Sequence, residues 1–196
     1  EELDDSSKER REETYKPFFH IYQQWSRDAF ITKGPGGKYT HHRGIYYGFS
    51  RISYTDNAGV LHEKVDNWHC RQAAQVHREF LEQKASAKEA RIVSEIDWLG
   101  KDGKVFAVEE RTMVFSMKNK DLVIDFISTL KPLVDSLKLD GDPQHAGFQF
   151  RASQSVFEDT AKATYYIRPE SGIGKPGSTI NWSTKVDNEQ TRNLPW

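Results

Sequence analysis

Short runs of alternating apolar and polar residues, broken at short intervals by turn signals, dominate this sequence. The cleanest run is Arg91 to Trp98, where Ile92, Ile96 and Trp98 alternate with Arg91, Val93, Glu95 and Asp97. Strict alternation places successive side chains on opposite faces of a strand. Lys101-Asp102-Gly103-Lys104 then carries the Asp-Gly signature of a hairpin. Val105–Met117 runs outward, Lys118-Asn119-Lys120-Asp121 turns, and Leu122–Leu130 runs back with Leu122, Ile124, Phe126 and Leu130 on one face. Three strands joined by two tight turns predict a meander.

The same reading predicts strands over Tyr15–Trp25, with Pro17 at its start, and over Ile45–Tyr54, followed by a turn at Asp56-Asn57-Ala58-Gly59. Further strands are expected at Gly147–Arg151 and Lys162–Arg168, with a surface loop over Ser171–Ser178. From Cys70 to Ala90 the Arg, Gln, Ala, Glu and Lys content favours a helix, although Val76–Leu81 also tolerates a strand. Many strands and few convincing helices indicate an all-β, antiparallel β-sandwich.

Composition refines this picture. Aromatic residues make up 12% of the 196 residues while only 36% are hydrophobic, which suits a β-rich core leaning on Trp, Tyr and Phe. A formal net charge of -1 gives no electrostatic case for nucleic acid or an anionic membrane. No apolar run approaches the ~20 residues of a membrane-spanning helix. The single cysteine, Cys70, excludes an internal disulfide. Residues 1–14 carry ten charged side chains and are expected to form a flexible arm, with one domain over 15–196. The chain starts at Glu1, which allows for a removed leader, and Asn193-Leu194-Pro195-Trp196 reads like the approach to a further strand.

Candidate chemistry centres on histidine. Gly34-Pro-Gly-Gly37 empties into His41-His42-Arg43; His69 follows Asp66-Asn67-Trp68; His77 follows Gln75-Val76; and His145 lies in Gly141-Asp-Pro-Gln-His-Ala-Gly147. If the strands are regular, His41 shares a face with Arg43, and His145 shares one with Gln149 and Arg151, leaving Phe148 and Phe150 for the core. Arginine forks bind carboxylates or hydroxyl pairs, and imidazole moves protons near neutral pH. Such histidines are also commonly plain structural hydrogen-bonding residues. No His-x-His, His-Glu-x-x-His or Cys-x-x-Cys motif is present, so a divalent metal would need histidines from distant strands to meet. Glu109 or Glu110 is a further candidate acid or base. Gly172–Gly177 lacks the pattern of a phosphate loop, and Asn181-Trp182-Ser183 fits a glycosylation sequon by pattern alone.

Tyr15-Lys-Pro-Phe-Phe-His20, Thr32-Lys-Gly-Pro-Gly-Gly37, Thr40-His-His-Arg-Gly44, Asp66–His69, Gln75–His77, Gly141–Arg151 and Asn193–Trp196 together resemble a bacterial family labelled "methane oxygenase PmoA-like". The label does not fit physically, because the methane oxygenase subunit of that name is a membrane protein. The resemblance implies an exported β-sandwich, of supersandwich type, from carbohydrate-related gene contexts, but no established catalytic residues. It also implies Glu rather than Gln at position 144 and further strands beyond Trp196, supplied by missing chain or by a second polypeptide. It turns the choice over Gln75–Leu81 in favour of a strand.

The expected activity is processing of a carbohydrate or sugar acid by a lyase, epimerase or hydrolase. His42, His69, His77 and His145 are the acid–base candidates, and His41, Arg43, Tyr46, Trp68, Gln149 and Arg151 the substrate-binding ones. The rival expectation is a carbohydrate-binding module in which Trp25, Trp68, Tyr46 and Tyr47 stack on sugar rings, or a structural protein completed by a partner.

Overall fold

The computed structural model describes residues 2–23, 26–71, 73–142, 145–158, 167–168 and 172–173. The expectations for Trp25, Gln144, Asn181–Ser183, Asn193–Trp196 and most of 162–178 lie outside these residues. In chain order the elements begin with α1 (Lys8–Thr14), β1 (Tyr22–Gln23), β2 (Ser26–Phe30), β3 (Ile45–Phe49), β4 (Arg51–Thr55) and β5 (Leu61–Val65). The long strands follow: β6 (Ala73–Ala85), β7 (Glu89–Gly100), β8 (Val105–Lys118) and β9 (Asp121–Pro132). Then come β10 (Ser136–Asp140), β11 (Ala146–Phe150), α2 (Gln154–Glu158), β12 (Ile167–Arg168) and β13 (Gly172–Ile173). The pairings β1–β2, β4–β5, β4–β10, β6–β7, β7–β8, β8–β9 and β12–β13 are all antiparallel, so the expected all-β class holds.

The chain divides into two compact units, Glu1–Pro17 with Tyr47–Gly147, and Phe18–Tyr46 with Phe148–Trp196. In the first, β6-β7-β8-β9 form a four-stranded meander and β10-β4-β5 a three-stranded sheet. The turns are those the sequence signals. Gly103 takes φ 75 in the β7–β8 hairpin, and Asn119 and Lys120 take φ 52 and 73 in the β8–β9 turn, both left-handed as a type I′ turn requires. β6 is a strand throughout despite its helix-favouring composition, because it is paired along its length with β7, from Ala73↔Gly100 to Ala85↔Ala90. Ladder pairing and burial of Ala73, Ala74 and Gln75 outweigh a propensity worth only tenths of a kcal/mol per residue.

The two sheets share one core. Ile52, Tyr54 and Val65 of the smaller sheet meet Ala73, Ile96, Trp98, Phe106 and Ala107 of the larger, with Leu130, Leu137 and Leu139 at the margin. This is sandwich packing. The same inner face also buries an ion pair: Glu109 and Arg111, two residues apart on β8, are both 0% exposed. Arg111 donates Nε to Glu109 Oε1 at 2.9 Å and Nη2 to Oε2 at 2.8 Å, while Trp98 Nε1 donates to Oε2 at 2.8 Å. Arg111 reaches Gln75 Oε1 at 3.3 Å and the Pro17 carbonyl at 3.4 Å. Glu109 is therefore a structural carboxylate rather than a candidate acid or base, and Glu110 faces outward.

The charged N-terminal run, expected as a flexible arm, contains a helix. Ser7 caps α1 by accepting from Arg10 N, and Asp4 holds Ser6 N at 3.0 Å and Arg10 Nε at 2.9 Å. These bonds to Ser6 and Arg10 hold the Asp4 carboxyl down to about 2. Glu12 and Thr14 are buried.

In the second unit, β1 pairs with β2 and β12 with β13. A closed backbone circuit joins three segments there. Lys33 N–H donates to the Arg151 carbonyl, Arg151 N–H to that of Gly44, and Gly44 N–H to that of Lys33, at 2.8–2.9 Å. Gly44 is required at that corner: with φ +49, an added Cβ would lie 2.0 Å from the Phe19 carbonyl oxygen.

Candidate functional site: two facing His–Asp pairs

Two of the expected histidines meet within the first unit. His69 stands in the loop between β5 and β6, a segment closed by the Asp66↔Arg71 bridge. The loop is held firmly: Asn67 Oδ1 accepts from Phe49 N at 2.7 Å, and the buried Lys16 donates Nζ to the Trp68 carbonyl at 2.6 Å. Asp66 closes on His69 twice, with Oδ1 accepting from His69 N and Oδ2 lying against Nδ1, both at 2.8 Å. Gly48 lets this loop approach β3, since a Cβ there would come within 3.0 Å of Asn67 Oδ1.

His145 repeats the arrangement after β10. Its Nδ1 lies 2.6 Å from Asp142 Oδ1, and its N–H donates to the Asp142 carbonyl at 3.0 Å. Its own carbonyl accepts from Ser50 N at 2.9 Å, which fixes the turn beside the start of β4. The two imidazoles lie tilted at 39° with ring centres 4.9 Å apart, and the buried Trp68 and His145 rings stand perpendicular at 5.6 Å. The side chains of His69 and His145 are 20% and 28% exposed, enough for a ligand to reach both.

The shared construction is Asp-x-x-His, once in Asp66–His69 and once in Asp142–His145. A carboxylate on Nδ1 fixes the ring's orientation and tautomer and directs proton exchange to Nε2. Neither aspartate figured among the expected site residues, though the repeated three-residue spacing was a usable signal.

Other expected site residues lie elsewhere. His77 is exposed on β6, packed on Phe80 at 4.4 Å, four positions along the strand (about 13 Å) from Ala73. Tyr46 and Trp68 are 2% and 1% exposed, and Tyr47 packs on Phe49, Trp98 and Phe126, so none of these three offers an open face for a sugar. His41, His42 and Arg43 precede β3 rather than lying in it, and strand alternation does not separate them. A turn with Tyr39 at φ 57, closed by His42 N donating to the Tyr39 carbonyl at 2.9 Å, brings the two imidazoles to 4.3 Å. On β11, Phe148 and Phe150 are 47% and 50% exposed rather than in the core, while Gln149 and Arg151 are half-buried. Alternation itself holds over Phe148–Arg151, with the phenyl rings on the outer face, and Gly147 at φ 84 interrupts it only between His145 and Gln149.

The second unit gathers cations around the Gly34–Gly37 turn. Lys33 is 2% exposed and donates Nζ to the carbonyls of Gly36 at 2.5 Å and Gly34 at 3.3 Å. Arg43 is 1% exposed with its guanidinium 4.9 Å from the centre of the Phe18 ring, and Arg151 stands 5.9 Å from that of Tyr39. Burial, then the positive charges of Arg151 and Arg43, pull the Lys33 pKa below its usual 10.5.

His20 in this unit is stacked on Phe30 at 3.9 Å, its Nδ1 2.9 Å from Thr32 Oγ1. Burial holds its pKa below the ordinary 6.5. The folded chain therefore takes up this proton less readily than the unfolded one. The stability His20 contributes is fully present above pH 6.5 and is lost as pH falls below that value through the folded pKa. Melting midpoints across that window should fall on acidification, and His20→Gln should flatten the fall; an unchanged slope would remove His20 as a cause.

A cleft of about 400 Å³ also opens in the first unit, lined by Tyr54, Asp56, His62, Asp102, Lys104 and Phe106 among others. It shares no lining residue with the histidine pair. Among the described residues no group of three or more His, Cys, Asp or Glu side chains is placed to hold a metal ion, and no helix is long and apolar enough to cross a membrane. No curated protein and no solved structure matches the chain. Residues 3–193 match a family described only as one of unknown function, DUF6807, and the chain belongs to that family.

Proposed function

We propose that this chain is a general acid–base enzyme acting on a carbohydrate or sugar-acid derivative, with His69 and His145 as the proton-transferring pair. The observation that carries the reading is the 4.9 Å approach of two imidazoles, each backed by its own aspartate. One neutral imidazole takes a proton and one protonated imidazole returns it; positioned groups of this kind contribute about 10²–10⁴-fold to rate. Rings this close leave no space for a sugar between them. A substrate therefore reaches the two imidazoles from outside the pair rather than from between them.

The substrate class comes from the resemblance to the PmoA-like family and its carbohydrate-related gene contexts, which also support an exported protein. The test is incubation of the intact chain in D2O with a panel of uronic acids, their glycosides and neutral oligosaccharides, followed by NMR. Loss of a C–H signal next to a carboxyl or carbonyl group, or release of an unsaturated or hydrolysed product, is the expected result. A panel that stays unchanged while still binding would replace the enzyme reading by the carbohydrate-binding one.

A further inference from the structure

The cleft of the first unit carries an inference of its own. It opens between the β4–β5 turn, the β7–β8 turn and the chain leaving β9. Its volume of about 400 Å³ falls within the range of roughly 300–1,000 Å³ typical of small-molecule sites. Contacts between these segments fix its walls. Asn57 Nδ2 donates to the Leu133 carbonyl at 3.3 Å, and Leu133 N–H to the Phe106 carbonyl at 2.9 Å. Tyr54 stacks on both His62 and Phe106, with ring centres 4.5 and 4.6 Å away. Gly100 makes room for this column, since a Cβ there would lie 2.2 Å from the Tyr54 hydroxyl. Tyr54 and Phe106 are buried and stiffen the wall; Val105, Leu133 and Val134 supply the apolar surface.

The polar lining holds a third His–Asp pair. His62 Nε2 lies 3.0 Å from Asp56 Oδ2, while Asp56 Oδ1 accepts from Ala58 N and Val60 N, both at 2.9 Å. This is the reverse of the contact at His69 and His145: the aspartate takes Nε2, and a ligand would use Nδ1. From the β7–β8 turn, Asp102 and Lys104 pair at 3.5 Å, with the Lys104 side chain 80% exposed.

These charges narrow the ligand class. Two carboxylates against one ammonium disfavour an anion. Both carboxylates already hold donors, Asp56 from its own turn and His62 and Asp102 from Lys104, which disfavours a cation. A neutral ring bearing several hydroxyls fits better. Its hydroxyls can accept from Lys104 and donate to the remaining lone pairs of Asp102, while its C–H surface lies on the valines and the leucine.

We propose that this cleft binds a neutral monosaccharide unit, held by His62, Asp102 and Lys104 over the apolar surface of Val105, Leu133 and Val134. The site is separate from the histidine pair, and the assignment does not depend on the acid–base reading of His69 and His145.

The test is NMR titration of the full chain with methyl glucoside, methyl galactoside and methyl mannoside, against glucuronate, glucosamine and cyclohexanol. Saturable binding of at least one neutral sugar is expected, with a Kd on the order of 1 mM, moving the methyl signals of Ala58, Val105 and Val134. Lys104→Ala and His62→Gln should each weaken it about fivefold or more, and the His69→Gln/His145→Gln double variant should leave it unchanged. Lys104 is exposed, so its replacement tests the site even if His62→Gln loosens the Tyr54 column. Absence of neutral-sugar binding overturns the proposal, as does equal or tighter binding of glucuronate, glucosamine or cyclohexanol. Binding lost in the double histidine variant but kept in Lys104→Ala also overturns it and moves the sugar to the histidine pair, so the two readings fail separately.

Discussion

Arg111→Met should lower the unfolding free energy by about 3–5 kcal/mol, because it leaves the Glu109 carboxylate buried without its cation. Wild-type Glu109 accepts three charge-directed or indole hydrogen bonds, two from Arg111 and one from Trp98, and no water-exposed surface remains to solvate it. The methionine restores part of the lost volume, so the loss reports charge more than cavity. The double replacement Glu109→Leu with Arg111→Met distinguishes the two contributions. A matched apolar pair in place of a buried ion pair is often neutral or stabilising by about 1–4 kcal/mol, so the double variant should recover most of what the single one loses. Leucine also leaves Trp98 Nε1 without its acceptor, which sets a residual cost of about 1–3 kcal/mol. Urea unfolding of the four members of the cycle measures the coupling directly. A single-variant loss below about 1 kcal/mol would mean that water or a rearranged Gln75 solvates the carboxylate, contrary to the buried geometry.

The same pair illustrates what the sequence makes legible. The β7–β8–β9 meander is readable because its turns carry left-handed residue types, Asp102-Gly103 and Asn119, and its strands alternate. β6 is readable only against its own composition: its Glu, Gln, Lys and Arg residues favour a helix locally, and pairing with β7 decides otherwise. Glu109 and Arg111 sit in an alternating run in which nothing local says that both face the core. Burial of an ion pair depends on what the opposite sheet and the Pro17 segment place over it, a long-range fact.

The site divides in the same way. His69 and His145 are visible because each sits in a turn-forming motif, and the aspartate three residues before each is a local feature. Their meeting is not local, since the two motifs are 76 positions apart (145 − 69) and join through different sheets' loops. Trp68 and Tyr46 misled because an aromatic side chain suits a sugar face and a core equally well. The strand argument for His41 and Arg43 failed for a physical reason: Tyr39 turns the backbone left-handed, and a period of two has no meaning outside a ladder.

His145→Gln and His69→Gln should each reduce turnover by about 10²–10⁴-fold on whichever substrate the panel identifies, with KM changing far less than kcat. Glutamine preserves an amide hydrogen-bonding end but neither gives nor takes a proton at neutral pH. The double variant should lose little more than the worse single one, because two groups that hand on one proton fail as a unit. Asp142→Asn and Asp66→Asn should reduce kcat while retaining substrate affinity, since they alter which imidazole nitrogen holds the proton rather than the contact surface. Both histidine side chains are partly exposed, so the variants should unfold within about 1 kcal/mol of wild type, which keeps lost activity distinct from lost fold. If the variants instead keep kcat while substrate affinity falls in proportion, the two imidazoles hydrogen-bond hydroxyl groups. In that case the proton transfer belongs to other residues or does not occur.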